Sequence, residues 1–235
     1  MAQDLIDVDD IVEKFLVKKM YKKSGWPHDT IAACKIICTD KDGKTWVSHQ
    51  IYRNDENDHA EVKLIKYLRW LGKALEAREI IIKVYMNYSP CYKCARKILK
   101  YKGDMEDKIK MTITFANFYN THVHRGNNRD EARANIEELK ELYEYGEHAV
   151  KLRLLGRDVK WETFLGMDEF FRFEEGEEDE CLDKARSDER KRREVQDEMV
   201  WDEIFNDGVG VITSGLDNDI LEELRKDMDE LSASD

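Results

Sequence analysis

The sequence predicts an α/β layer sandwich, a five-stranded mixed sheet flanked by helices, followed by an acidic C-terminal extension. Three observations carry that expectation. Five short β-rich runs are interleaved with amphipathic helical segments up to about Phe171. The run Ile80 to Met86 is almost unbroken in apolar and β-branched residues, as for a central strand buried on both faces. Charge changes character at Glu174: up to Phe173 there are 31 Lys and Arg against 28 Asp and Glu, and from Glu174 onward 8 against 23. The net charge of −12 therefore belongs to the tail, and the body is mildly basic. On that basis residues 1–173 are read as one domain, 174–186 as a solvated acidic linker and 187–235 as a charged, partly helical extension.

Each element has its own reason. Val8, Ile11, Val12, Phe15, Leu16 and Met20 fall at helical spacing, acids early and lysines late, which predicts a helix over Val8 to Tyr21. Thr30 to Cys38 and Trp46 to Tyr52 read as two strands joined by the hairpin turn Lys41-Asp42-Gly43-Lys44. After the Asn- and Asp-rich loop 53–58, Val62, Leu64, Ile65, Leu68 and Leu71 mark a helix from near His59 to near Gly72. Pro90 suits the start of a helix that Ala95, Ile98 and Leu99 continue to about Tyr101. Ile109 to Ala116 alternates as a strand, and Ile136, Leu139 and Leu142 set a helix over Asp130 to Tyr145. His148 to Leu155 is the last strand, and Trp161 to Phe171 a further helix. Two amphipathic segments follow the linker, Ser187 to Phe205 and Leu216 to Leu231.

Composition bounds the setting. The chain has 235 residues, 41% hydrophobic and 38% charged, enough for one sizeable domain with extensions or for two small ones. Five cysteines do not form a disulfide framework, and no apolar leader opens the sequence. Both point to a reducing, intracellular compartment, cytoplasmic or nuclear. No run approaches the length of a membrane span, so no membrane partner is expected.

The chemistry lies between His59-Ala60-Glu61 and Ser89-Pro90-Cys91-Tyr92-Lys93-Cys94. One His and a C-x-x-C pair supply three ligands of the kind Zn²⁺ takes, and catalytic zinc leaves its fourth position to water. Glu61, two residues after His59, is placed to move protons beside that water. This order, His-x-Glu then Pro-Cys-x-x-Cys, is the pattern of the zinc-dependent nucleobase deaminases. C-x-x-C alone also marks redox and structural zinc sites. A structural site needs a fourth ligand, for which the sequence offers His122, His124 or His148. The two half-motifs together favour the catalytic reading. Each sits at a predicted helix start, where the helix dipole favours thiolate over thiol.

Further pieces keep a fixed order around this motif. Arg53-Asn54 precedes the zinc His, Phe118-Tyr119 follows the fourth strand, and Trp161-Glu162-Thr163-Phe164 follows the fifth. With Ser89 to Ala95, these make the stretch from about Phe15 to Leu165 resemble the AID/APOBEC family of polynucleotide cytidine deaminases. The resemblance implies a cytidine-deaminase-like sandwich whose fifth strand is parallel, unlike that of free-nucleoside deaminases. It implies one catalytic Zn²⁺ and hydrolysis of cytosine to uracil in single-stranded DNA or RNA, as in nucleic-acid editing or antiviral defence. It also implies that Thr30, Asn54 and Tyr119 surround the target nucleotide and that the Ser89 backbone meets the base's amine. Tyr88 stands where the family usually has Trp, still an aromatic wall. Asp55, Glu56 and Asp58 lie near the expected phosphate path, and the acidic tail has no counterpart in the family pattern.

Phe118, Tyr119, His122, His124 and Arg125, in the loop 117–128, mix aromatics with donors as a single-strand stacking platform does. The plainer reading is a polar connection with two buried aromatics. His28 and Arg53 are further candidate nucleic-acid contacts. The run Arg190-Lys191-Arg192-Arg193 reads as a nuclear signal or as a solvated helix face. Two rivals stand beside the polynucleotide deaminase: an enzyme of free nucleosides or nucleotides, and a catalytically idle nucleic-acid-binding scaffold, for which Glu61 would have little use. Residues 174–235 are expected either to restrain the deaminase as a polyanion mimic until a protein partner engages Ile220, Leu224, Met228 and Leu231, or to serve solubility and recruitment alone.

Overall fold

Alternation along the strands assigns the two faces of the sheet. The structure, a computed structural model, describes residues 5–16, 29–105, 108–121, 129–145 and 150–206. Strands β1 (Ile31–Thr39), β2 (Thr45–Arg53), β3 (Glu79–Met86), β4 (Ile109–Phe115) and β5 (Val150–Leu154) form one sheet in the order β2-β1-β3-β4-β5. β1 is antiparallel to both β2 and β3, whereas β4 runs parallel to β3 and β5 parallel to β4. The hairpin turns where predicted. The Asp40 carboxylate accepts from the backbone N–H groups of Asp42 and Lys44, and Gly43 takes the φ of 83° that the turn requires.

One face carries Ala32, Cys34, Ile36 and Cys38 of β1 and Ile80, Ile82, Val84 and Met86 of β3. Helices α2 (Ala60–Ala74), α3 (Tyr92–Met105) and α4 (Arg129–Glu144) close over it. The other face, with Ile31 and Ala33, is covered by α1 (Val8–Asp10, continued as a π-helical turn over Ile11–Leu16), by α5 (Trp161–Leu165) and by α6 (Glu177–Ala185). That second cover is short. Hence β3 alternates between buried and more exposed positions, with Lys83 exposed, instead of being buried on both faces as predicted. Residues 17–21 of the expected first helix lie outside the described residues, as does the segment Leu216 to Leu231.

Beyond β5 the structure departs from the sequence reading. The helix expected over Trp161 to Phe171 ends at Leu165; Phe170 and Phe171 turn back under the second core, and the Ile6 N–H donates to the Phe170 carbonyl at 2.9 Å. The stretch 174–186 is not a solvated linker. It holds α6, whose Cys181 and Ala185 are buried against that core. The acidic run is the reason: Glu177, Glu178, Asp179 and Glu180 occupy the first turn, where the helix dipole favours negative charge.

Helix α7 (Asp188–Phe205) is likewise packed on the body. Ser187 caps it, accepting from the Arg190 N–H at 3.2 Å. Trp201 and Ile204 join the core beneath α4. Arg190 and Arg193 are buried while Lys191 and Arg192 are exposed, so the basic run is only half a solvated face. Helices α6 and α7 are therefore both packed on the body through buried residues.

Candidate active site

The ligand atoms of His59, Cys91 and Cys94 lie within 4.8 Å of one another. His59 Nδ1 is 3.6 Å from Cys91 Sγ and 3.4 Å from Cys94 Sγ. Local structure explains the convergence. His59 is the N-cap of α2 with an extended backbone, and its side chain makes no capping bond because the imidazole is turned toward the thiols. Cys91 and Cys94 stand at the start of α3, where the Ala95 N–H donates to the Cys91 carbonyl. Both elements begin at the same end of the sheet, just beyond the C-terminus of β3. The thiols are buried and His59 is exposed, so the cluster opens to solvent on its histidine side.

Glu61 sits in the first turn of α2, 4% exposed, with Oε2 lacking a hydrogen-bond partner among the described residues. Burial pushes its carboxyl up to about 7. The hydrogen bond from Cys94 favours the Cys91 thiolate, lowered to about 6, while the same bond holds the proton on Cys94. Such a set fits zinc: one imidazole, one ready thiolate, a second thiol beside it, and an unpartnered carboxylate oxygen at the same spot.

Three buried asparagines, not singled out from the sequence, frame the site. Asn87 accepts from the Ile31 N–H and donates to the Asp29 carbonyl, fixing the entry to β1. Asn117 donates to the Asn87 carbonyl at 2.9 Å, and its own carbonyl accepts from the Ser89 N–H. Asn135, on the inner face of α4, accepts from the Tyr92 N–H and donates to the Asn120 carbonyl at 3.0 Å. Its place among the apolar positions Ala132, Leu139 and Leu142 was the signal available in the sequence.

The expected substrate residues gather around this frame. Thr30 and Asn54 are joined by two bonds, Thr30 N–H to Asn54 Oδ1 at 2.7 Å and Asn54 N–H to the Thr30 carbonyl at 3.1 Å. Ser89 Oγ accepts from the Tyr119 N–H at 2.9 Å. The rings of Tyr88 and Tyr119 meet edge to face with centroids 6.0 Å apart. One expectation changes. Phe118 is 1% exposed, packed between Phe115, Trp201 and Phe205, and is a core residue, not a nucleic-acid contact. Arg53 is drawn into a 2.5 Å ion pair with Asp10. His28, His122, His124 and Arg125 lie outside the described residues.

A sheet whose last three strands are parallel, with two helix starts converging a histidine, two cysteines and a buried glutamate, defines the class of zinc-dependent cytidine deaminase folds. The family model for the APOBEC3 cytosine deaminase domain matches residues 18–168, and the chain belongs to that family. Among curated proteins, it is 30% identical over 97 residues to the DNA dC->dU-editing enzyme APOBEC3 of Rattus norvegicus, covering 39% of this chain and 22% of the rat protein. It is 26% identical over 121 residues to the DNA dC->dU-editing enzyme APOBEC-3 of Mus musculus, covering 48% of this chain and 27% of the mouse protein. The match thus spans about a quarter of the length of these relatives.

Proposed function

We propose that this chain catalyses the hydrolytic deamination of cytosine to uracil in single-stranded nucleic acid, with one zinc ion held by His59, Cys91 and Cys94. The observation that carries the proposal is the convergence of those three donors beside the buried, unpartnered oxygen of Glu61. Zinc held by this donor set would supply a water that loses its proton near neutral pH. Glu61 would carry a proton from water to the ring nitrogen next to C4 and then a second one to the departing amine. Water's oxygen ends on C4 and ammonia leaves, so no other reactant is needed. Tyr88 and Tyr119 wall the base, the Ser89 backbone meets its amine, and the Thr30–Asn54 clamp holds the nucleotide from the opposite side.

The parallel pairing of β5 with β4 supports a polynucleotide substrate over a free nucleoside. The relatives are named as DNA dC->dU-editing enzymes, which supports DNA over RNA. Five cysteines without disulfides support an intracellular setting. The test is deamination of matched single-stranded DNA, single-stranded RNA and free cytidine by the purified protein. Conversion of the DNA strand is expected. Turnover of free cytidine with neither strand touched would overturn the reading.

A further inference from the structure

We infer that the sheet edge formed by β2 and the outer face of α2 is a second contact lane for single-stranded nucleic acid, leading away from the rim of the site. The inference rests on the polynucleotide reading above for its direction, but not for its chemistry. Among the described residues, Trp70 on α2 is 62% exposed and Trp46 on β2 is 42% exposed. Both belong to one surface. The Tyr67 ring lies 5.7 Å from Trp70 and 6.4 Å from Tyr52, and its hydroxyl is 3.3 Å from Ser48 Oγ. Trp46, Ser48 and Tyr52 alternate along β2 and so share its face.

Lysines accompany the two tryptophans. Lys44 Nζ lies 4.0 Å from the Trp46 ring centroid, and Lys73 is exposed one helical turn beyond Trp70. Neither lysine has a carboxylate partner among the described residues. Arg69 and Lys66 are paired with Asp104 and Asp58, but all four side chains are solvent-accessible, where such pairs are worth little and open readily.

Direction follows from topology. β2 ends at Arg53, next to Asn54 at the site rim, and Trp46 lies seven residues back, about 23 Å at the strand rise. α2 starts at the other side of the same rim, with His59 as its cap, and Trp70 lies about 16 Å along it. A strand leaving the site along these two elements meets aromatic faces in series, with ammonium groups beside them. That combination suits successive stacked bases and a tracking phosphate backbone. Interfaces for proteins are depleted in lysine, which favours nucleic acid over a second copy of the chain pairing on the β2 edge.

The experiment measures binding and deamination of strands of about 4 and about 16 nucleotides. It uses the full chain and the variants Trp46→Ala plus Trp70→Ala, and Lys73→Glu. Both tryptophans are exposed, so the fold should tolerate their loss. The lane predicts that the double variant binds the long strand about 5-fold or more weakly, with the short strand unaffected. Lys73→Glu should flatten the salt dependence for the long strand only. Equal long-strand binding by all variants would overturn the lane. So would a wild-type dimer that the double variant dissociates while strand binding is unchanged, because the edge would then belong to a second copy. If the variants lose long-strand binding yet no protein deaminates either strand, the lane stands and the deaminase reading fails.

Discussion

The rings of Phe118 and Trp201 lie with centroids 6.3 Å apart, which ties the loop carrying Tyr119 to the last described helix. Trp201 also stacks on Phe115 at the end of β4, at 6.1 Å, and packs 4.5 Å from Phe205. Helix α7 is thus the floor beneath one wall of the site.

Trp201→Ala should therefore destabilise the domain by about 3–5 kcal/mol, as for a large aromatic removed from a packed core. Truncation after Phe173 removes α6 and α7 together and should yield an insoluble or molten protein, not a hyperactive one. Urea unfolding of the variant and soluble yield of the truncation check both. A soluble, cooperatively folding truncation would show that α7 is dispensable.

How much of this was legible depended on whether apolar spacing or polar contact set the position. β1 to β5 and α2 to α4 were visible because Cys34, Ile36, Ile82, Leu64 and Leu139 alternate or repeat as their elements demand. His59, Glu61, Cys91 and Cys94 were visible because metal chemistry fixes residue type and spacing. Helix α7 falls where its apolar spacing placed it, but its packing was hidden for an electrostatic reason: it buries Arg190, Arg193 and Asp197, so charge there does not mean solvent. Asn87, Asn117 and Asn135 were missed because a buried amide bonding to backbone carries no periodic signal. Phe118 and Tyr119 are neighbours on a loop, and only packing decides that one points into the core.

Arg193 and Asp197 form a buried two-point pair on α7, with bonds of 2.9 and 2.6 Å, and the Arg193 charge acts on Tyr88 in the wall of the site. Asp197→Ala strands a buried guanidinium and should cost about 3–5 kcal/mol, whereas replacing both partners by Met and Leu should cost far less. Thermal unfolding of the two variants tests the pairing. Equal losses in both would mean that shape, not the ion pair, matters there.

Glu61→Gln preserves the donor set and removes the buried carboxylate beside it. The variant should bind one zinc per chain with turnover reduced by at least about 100-fold, the scale of general acid–base catalysis. Cys91→Ala and Cys94→Ala should lose both metal and activity, since two ligands do not retain catalytic zinc. Metal content by elemental analysis, read beside turnover, separates the two classes. Near-normal turnover in Glu61→Gln would remove it from the proton path.

Tyr119 is held at its backbone on both sides. Its N–H donates to Ser89 Oγ at 2.9 Å, and its carbonyl lies 3.4 Å from the Asn135 amide nitrogen that also serves Asn120. The ring meets Tyr88 edge to face, where a neighbouring base can stack. Tyr119→Ala should therefore weaken strand binding by about 1–3 kcal/mol and change which base is preferred 5′ of the cytosine. Asn135→Ala acts differently, because it keeps the ring but strands the Tyr92 N–H and the Asn120 carbonyl. It should lower stability by about 1–3 kcal/mol and reduce turnover evenly across sequence contexts. Four strands that differ only in the 5′ base, assayed with both variants, distinguish a reading ring from a supporting loop. If Tyr119→Ala lowers activity without altering the preferred base, the ring only supports the pocket and the neighbouring base is read elsewhere.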